Sequence, residues 1–221
     1  MKKFITAFKR RPDMPVEVFR DRWATVHAEK VSRLPGIQRY VQNMPLESVY
    51  SRGREPQFDA VAEFWFEDDH LDGLTATPGY AAMEADALAL ADPPSMACLR
   101  IDEIPLIDGP RTPLKLIMFV RRRADLSVSR FQDHWRDVHG PIAVRNSYIR
   151  RYVQAHVRER AAGEPPAEFD GVGMVWFDTP ADMRASGTTP EAAEASEDGA
   201  RFAEGGVPSV VLPTSETVVV A

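Results

Sequence analysis

Cysteine is almost absent: Cys98 stands alone in 221 residues, which excludes an intramolecular disulfide and a cysteine-rich zinc site. A reducing, cytoplasmic setting is expected. Long apolar runs are missing too. Nothing approaches the roughly 18 consecutive apolar residues of a membrane span, and Met1-Lys2-Lys3-Phe4 leads into a strand pattern without the apolar stretch of a signal peptide. Neither a membrane partner nor export is expected. Positive charge is in deficit: 27 Lys and Arg against 33 Asp and Glu give a net charge of −6, the wrong sign for a phosphate-backbone binder. Nucleic acid is therefore not an expected partner. There is no Gly-rich phosphate loop and no Ser-His-Asp pattern. His134 and His139 are five residues apart, a poor spacing for two ligands on one helix, with no evident third. No metal is expected and no cofactor, since flavin, nicotinamide and haem have no supporting motif.

What is present is an internal duplication. Phe19, Trp23, His27, Arg39, Tyr40, Val41 and Gln42 recur as Phe131, Trp135, His139, Arg151, Tyr152, Val153 and Gln154, each 112 positions on (131 − 19 = 112, 154 − 42 = 112). Phe58-Asp59, Val61 and Trp65-Phe66 return as Phe169-Asp170, Val172 and Trp176-Phe177, now 111 positions on after a one-residue change in a loop. Two tandem copies, residues 1–107 and 108–221, are implied.

Each copy reads as β-α-β-β-α-β. Lys3 to Lys9 and Leu114 to Arg121 suit first strands. Pro15 and Ser127 are placed to start helices in which Phe19, Trp23 and Val26, or Phe131, Trp135 and Val138, fall at helical spacing; Pro141 should compress or kink the end of the second. Ile37 to Asn43 follows as a strand after Pro35-Gly36. Phe58 to Phe66 is apolar at both parities and so is covered on both faces. Ala-rich second helices are expected within 77–91 and 190–202, last strands at about 96–104 and 210–220, and a linker at 105–113. Split β-α-β with antiparallel strands is the ferredoxin-like motif, whose bare sheet face must be buried. The expected fold is α+β: two ferredoxin-like repeats packed sheet to sheet as an intramolecular α+β barrel, a monomer with an internal pseudo-dimer or a homodimer of it.

His134-Trp135, His139-Gly140-Pro141, Arg151-Tyr152-Val153-Gln154 and Phe169-Asp170-Gly171-Val172, with Phe19, Trp23, His27, Arg39 to Asn43 and Phe58 to Glu63 in the first copy, resemble the EthD-like group of dimeric α+β barrel proteins. The resemblance covers nearly the whole chain. It implies the barrel fold and a range of activities: relatives accompany ether-degrading monooxygenases or act as polyketide cyclases, dehydratases, decarboxylases, lactone isomerases and cofactor-free monooxygenases. The copies differ, Ala28-Glu29 standing against Gly140-Pro141, and Asn43 and Glu63 against Ala155 and Met174.

His27 and His139 each follow a tryptophan by four residues and share its helical face. Each suits a general base, which titrates near neutral pH, or a scaffold residue bonded to a neighbouring backbone carbonyl. Tyr40 and Tyr152 suit hydrogen-bond donors to a developing enolate, or core aromatics with their hydroxyls at a rim. Arg39 and Arg151 suit a grip on an acidic substrate, or ion pairs; opposite parity keeps each off its neighbouring tyrosine's face. Glu63, in an otherwise apolar strand, must be paired, hydrogen-bonded or neutral. Trp23, Asn43 and Trp135 complete the candidate substrate-binding set. The arginine runs at 9–11 and 121–123 read as solvated turns.

These residues lead to an expected cofactor-independent lyase or isomerase (dehydratase, decarboxylase or cyclase) acting on a small aromatic or polyketide-like compound, with His27 or His139 as base and Tyr and Glu63 assisting. A binding protein for a hydrophobic small molecule serving a partner oxygenase, and a cofactor-free monooxygenase, remain open alternatives. In copy one Glu63 and Asn43 provide proton-holding groups that Met174 and Ala155 do not, which favours His27 as the working base.

Overall fold

A computed structural model describes residues 1–67, 73–159 and 167–221. The chain divides into two compact units, Met1–Arg100 with Glu216–Ala221, and Ile101–Ser215. In the first, β1 (Lys2–Phe8) leads to α1 (Val16–Arg22), a π-helical turn (Trp23–His27) and α2 (Ala28–Ser32), then β2 (Ile37–Pro45), a 3-10 segment (Glu47–Gly53), β3 (Ala60–Phe66) and α3 (Pro78–Leu90). β4 (Ala97–Ile107) starts in this unit and ends in the other. The second unit repeats the order with β5 (Leu114–Val120), α4 (Val128–His134), a π-helical turn (Trp135–His139), α5 (Gly140–Ala143), β6 (Arg151–Val157), β7 (Gly171–Phe177), α6 (Pro180–Ser186) and α7 (Pro190–Phe202). β8 (Val210–Val220) closes the chain, its last residues belonging to the first unit.

Both repeats have the ferredoxin-like strand order, β4-β1-β3-β2 and β8-β5-β7-β6. Antiparallel registers fix the faces. In the first unit Ile5 and Val41 both lie opposite Glu63, while Phe4 and Tyr40 lie opposite Phe64. Because side chains alternate along a strand, Phe8, Tyr40, Ala60, Ala62 and Phe66 point to the helices and pack with Phe19, Trp23 and Leu90. Phe64 joins that cluster, whereas Trp65 takes the other face. In the second unit Val120, Phe131, Trp135, Phe202 and Ala203 form the helix-side cluster.

The second helices start alike. Thr77 Oγ1 accepts from the Tyr80 amide at 3.2 Å and Thr189 Oγ1 from the Ala192 amide at 3.1 Å, each before a proline whose missing N–H costs nothing at the first helical position.

Three expectations need correction. β4 runs through Pro105 to Ile107, so the linker begins later; a register shift between Pro105 and Ile107 accommodates the proline. Pro141 does not cause the irregularity of its helix, because the first repeat has the same π-helical turn with Glu29 at the matching position. A further helix, α6, was not anticipated; Thr179 caps it by accepting from the Asp182 amide at 3.1 Å.

Candidate functional site

The wide π turn decides where each candidate histidine points. Such a turn spaces backbone partners further apart than an α-helix does and leaves a carbonyl accessible. A glutamine from the adjoining strand fills the vacancy: Gln42 Nε2 donates to the Trp23 carbonyl at 2.7 Å and to Tyr40 Oη at 2.9 Å. Gln154 repeats this on Trp135 at 2.7 Å and Tyr152 at 3.1 Å. With its start fastened to the sheet, each π turn ends in a histidine facing the second helix of its repeat.

There each histidine meets a buried aspartate. His27 Nδ1 lies 3.1 Å from Asp86 Oδ2, and His139 Nδ1 lies 3.2 Å from Asp198 Oδ2. Asp86 also holds Arg22, whose Nη2 is 2.6 Å from Oδ1. At the corresponding point of the second repeat stands His134, its Nε2 3.0 Å from Asp198 Oδ1 and 3.1 Å from Oδ2. Burial lowers the pKa of both His27 and His139, the aspartate pulling each part of the way back. Asp86 titrates below the ordinary range although burial alone would raise it, because the hydrogen bonds from Arg22 and His27 outweigh desolvation. A neutral imidazole with Nδ1–H fixed on a carboxylate presents its basic Nε2 outward. Among the described residues Nε2 of His27 and of His139 has no hydrogen-bond partner.

Tyr40 and Tyr152 lie on the same side, fully buried, their hydroxyls occupied by the glutamine amides. Burial raises both phenols, Tyr152 to about 12, so they stay protonated at neutral pH.

The opposite sheet face carries the other candidates. Glu63 is completely buried: Oε2 pairs with Lys3 Nζ at 2.9 Å, and Oε1 accepts from Asn43 Nδ2 at 3.1 Å. The Lys3 ammonium stands 3.8 Å from the centre of the Trp65 ring, with the Arg39 guanidinium 5.6 Å from it. In the second repeat Lys115, also fully buried, lies 4.4 Å from the Trp176 ring and Arg151 lies 5.6 Å from it. Trp23 and Tyr40 are thus brought together by Gln42, and Trp135 and Tyr152 by Gln154, with His27 and His139 on the same, helix-covered side of the sheet. Glu63, Asn43, Arg39 and Arg151 are not on that side. The sheet separates the two sets, so Glu63 cannot assist His27, and the reason for preferring the first copy falls away.

The EthD domain pattern matches residues 11–94 and again residues 123–206. The chain belongs to the EthD family. No curated protein matches its sequence. Solved structures similar to this EthD chain include a candidate monooxygenase from Fusobacterium nucleatum, with a TM-score of 0.62 at 8% identity over 99% of this chain and 92% of that one. An anthrone oxidase-like protein matches with a TM-score of 0.62 at 11% identity over the same shares, and a candidate chlorite dismutase with a TM-score of 0.58 at 12% identity over 99% and 96%. At such identities the likeness is one of fold.

The EthD repeat also places at the candidate site residues that no sequence motif marks. Asp86 and Asp198 obey the 112-residue offset (198 − 86 = 112) but lie in the Ala-rich helices, where no motif framed them. Gln42 and Gln154 were visible as repeated residues without a role. His156, in the second repeat only, stacks on Trp135 with ring centres 5.1 Å apart and lies 3.0 Å from Gln154 Oε1; burial lowers its pKa to about 4. The arginine turns are less solvated than expected. Arg10 pairs with the buried Asp59 at 2.8 Å and Arg122 with Asp170 at 3.0 Å, tying the end of each first strand to the start of the third. Among the described residues no group of three His, Cys, Asp or Glu side chains is placed to hold a metal ion, and no helix is long and apolar enough to cross a membrane.

Proposed function

We propose that this EthD chain is a cofactor-independent lyase or isomerase in which a histidine acts as general base on a small aromatic or polyketide-like compound. The histidine-aspartate dyad carries the reading. A carboxylate on Nδ1 fixes the tautomer, makes Nε2 the basic atom and stabilises the imidazolium once a proton arrives. Burial keeps the ring neutral and ready to accept that proton.

For a β-hydroxy ketone, Nε2 removes the proton next to the carbonyl and the C–H electron pair moves into an enolate. Collapse of the enolate forms a C=C bond and breaks the C–O bond. The imidazolium returns the proton to the departing hydroxyl, which leaves as water, and the histidine is restored. The Phe202 ring, 4.9 Å from the His139 ring, offers an apolar wall beside the second dyad. Arg39, Asn43, Glu63 and Arg151 belong to the other sheet face and have no part in this step.

The test is turnover of a panel of phenolic acids, anthrones and β-hydroxy ketones by the intact protein and by His27→Ala and His139→Ala. Loss of a general base lowers the rate about a hundredfold to ten-thousandfold. Full activity in both variants would end the histidine-base reading. Oxygen consumed in step with substrate would replace the lyase by a cofactor-free oxygenase, and tight binding without turnover would replace it by a carrier.

A further inference from the structure

The two dyads differ in one respect that bears directly on their chemistry. Arg22 and His134 occupy the same place in their repeats (134 − 22 = 112), and both bond the aspartate that orients the candidate base. We infer that His134 is a positioning residue which leaves the Asp198 charge available to His139, making His139 the working base and the second repeat the working site. This rests on the general-base reading and deepens it.

Charge counting supplies the argument. In the first repeat the −1 of Asp86 is cancelled by the permanent +1 of Arg22, since a guanidinium does not lose its proton in proteins. A proton added to His27 creates a second cation on a carboxylate already satisfied, with Lys30 nearby adding to the opposition. In the second repeat the partner is an imidazole, which unlike a guanidinium has a neutral form, and that form donates Nε2–H to Asp198 without cancelling its charge. A proton arriving on His139 therefore forms a new ion pair. Ile142 stands where Lys30 stands in the first repeat (142 − 30 = 112), so that opposing charge is gone as well.

The remaining charged groups around the second dyad do not restore the balance. Arg201 approaches Asp198 Oδ1 only to 3.8 Å with a side chain 72% exposed, where water screens it. Arg136 is occupied by Asp133 and Asp137 on the solvent side. The Phe202 ring lies 4.9 Å from the His139 ring and brings no charge. Access points the same way: the His139 side chain is 16% exposed and that of His27 5%.

The experiment is an NMR titration of the histidine rings in the full-length protein, from about pH 4 to about pH 9. Wild type, His134→Arg, His134→Gln and the reciprocal Arg22→His are compared. His134→Arg is expected to lower the His139 midpoint by about one unit, and Arg22→His to raise that of His27 by a similar amount. His134→Gln, which keeps a neutral donor, should leave His139 basic. A His139 midpoint unmoved in His134→Arg, with the amide spectrum otherwise retained, would overturn the inference. Should His134→Arg not fold, a His27 midpoint unmoved in Arg22→His overturns it equally. Because these titrations need no substrate, they stand apart from the base reading, which fails only if His27→Ala and His139→Ala both keep full turnover; loss of turnover in His27→Ala alone would overturn the assignment to the second repeat. Once a substrate is found, His134→Arg should move the acid limb of the kcat/KM profile, an effect a purely structural residue would not produce.

Discussion

Gln42 and Trp23 are joined by a 2.7 Å hydrogen bond from the glutamine side chain to the tryptophan backbone carbonyl. It ties β2 to the first residue of the π turn, and four residues later that turn delivers His27 to Asp86. The same bond, also 2.7 Å, joins Gln154 to Trp135. These glutamines set the geometry of the dyads without touching them.

Gln42→Leu therefore leaves the Trp23 carbonyl and the Tyr40 hydroxyl without their amide donor in a dry environment. A loss of about 1–3 kcal/mol is expected, read from urea denaturation. Gln154→Leu should cost more, since it also removes the acceptor of His156. A change in the noise for both would show that water or a relaxed helix replaces the bond.

His156 makes stability depend on acidity. Its folded pKa of about 4 lies below the ordinary histidine value of 6.5, so between these two pH values the unfolded chain binds the proton and the folded chain does not. Stability is whole above the ordinary value and falls as pH drops through this window, by at most about 1.4 kcal/mol per pH unit. His156→Met, which installs the residue found at Met44 in the first repeat, should reduce that slope. His27 and His139 shift in the same direction, so part of it remains. Denaturation midpoints at near-neutral and mildly acidic pH decide the point; equal slopes in both proteins would mean that His156 is not buried uncharged.

The Lys3–Glu63 pair should behave as a unit. Glu63→Met, the residue of the second repeat, takes a carboxylate from a buried ammonium, and removing one partner of a buried pair costs about 3–5 kcal/mol. Adding Lys3→Met should recover part of this, giving a coupling of at least about 1 kcal/mol in a double-mutant cycle. Strictly additive effects would contradict the pairing.

β8 ends in the first unit, where Val219 and Val220 pack against the aromatic cluster. Truncation after Ser215 removes this cover from β2, its neighbour in the sheet. Amide exchange across Ile37–Pro45 should accelerate by about tenfold or more, while β5–β7 change little. Uniform protection in the truncated chain would show that the final residues do not support the first unit.

The sequence by itself determined the duplication, the β-α-β-β-α-β order of each copy and the family resemblance. Aromatic and β-branched side chains at periods of 2 and 3.6, repeated at one offset, are local signals that need no partner to be legible. It also isolated Glu63, because a carboxylate in an apolar strand demands a partner, though the sequence did not say that the partner is Lys3. The tertiary structure alone decided which candidates share a site. Strand register put Glu63, Asn43 and Arg39 across the sheet from His27, a separation set by pairing between strands distant in sequence. The π turn, which no proline marks, is held by a glutamine about twenty residues away. The dyads join residues 59 positions apart in helices whose composition reads as plain alanine-rich packing. Such pairings are non-local, and only the folded chain brings their charges close enough to interact.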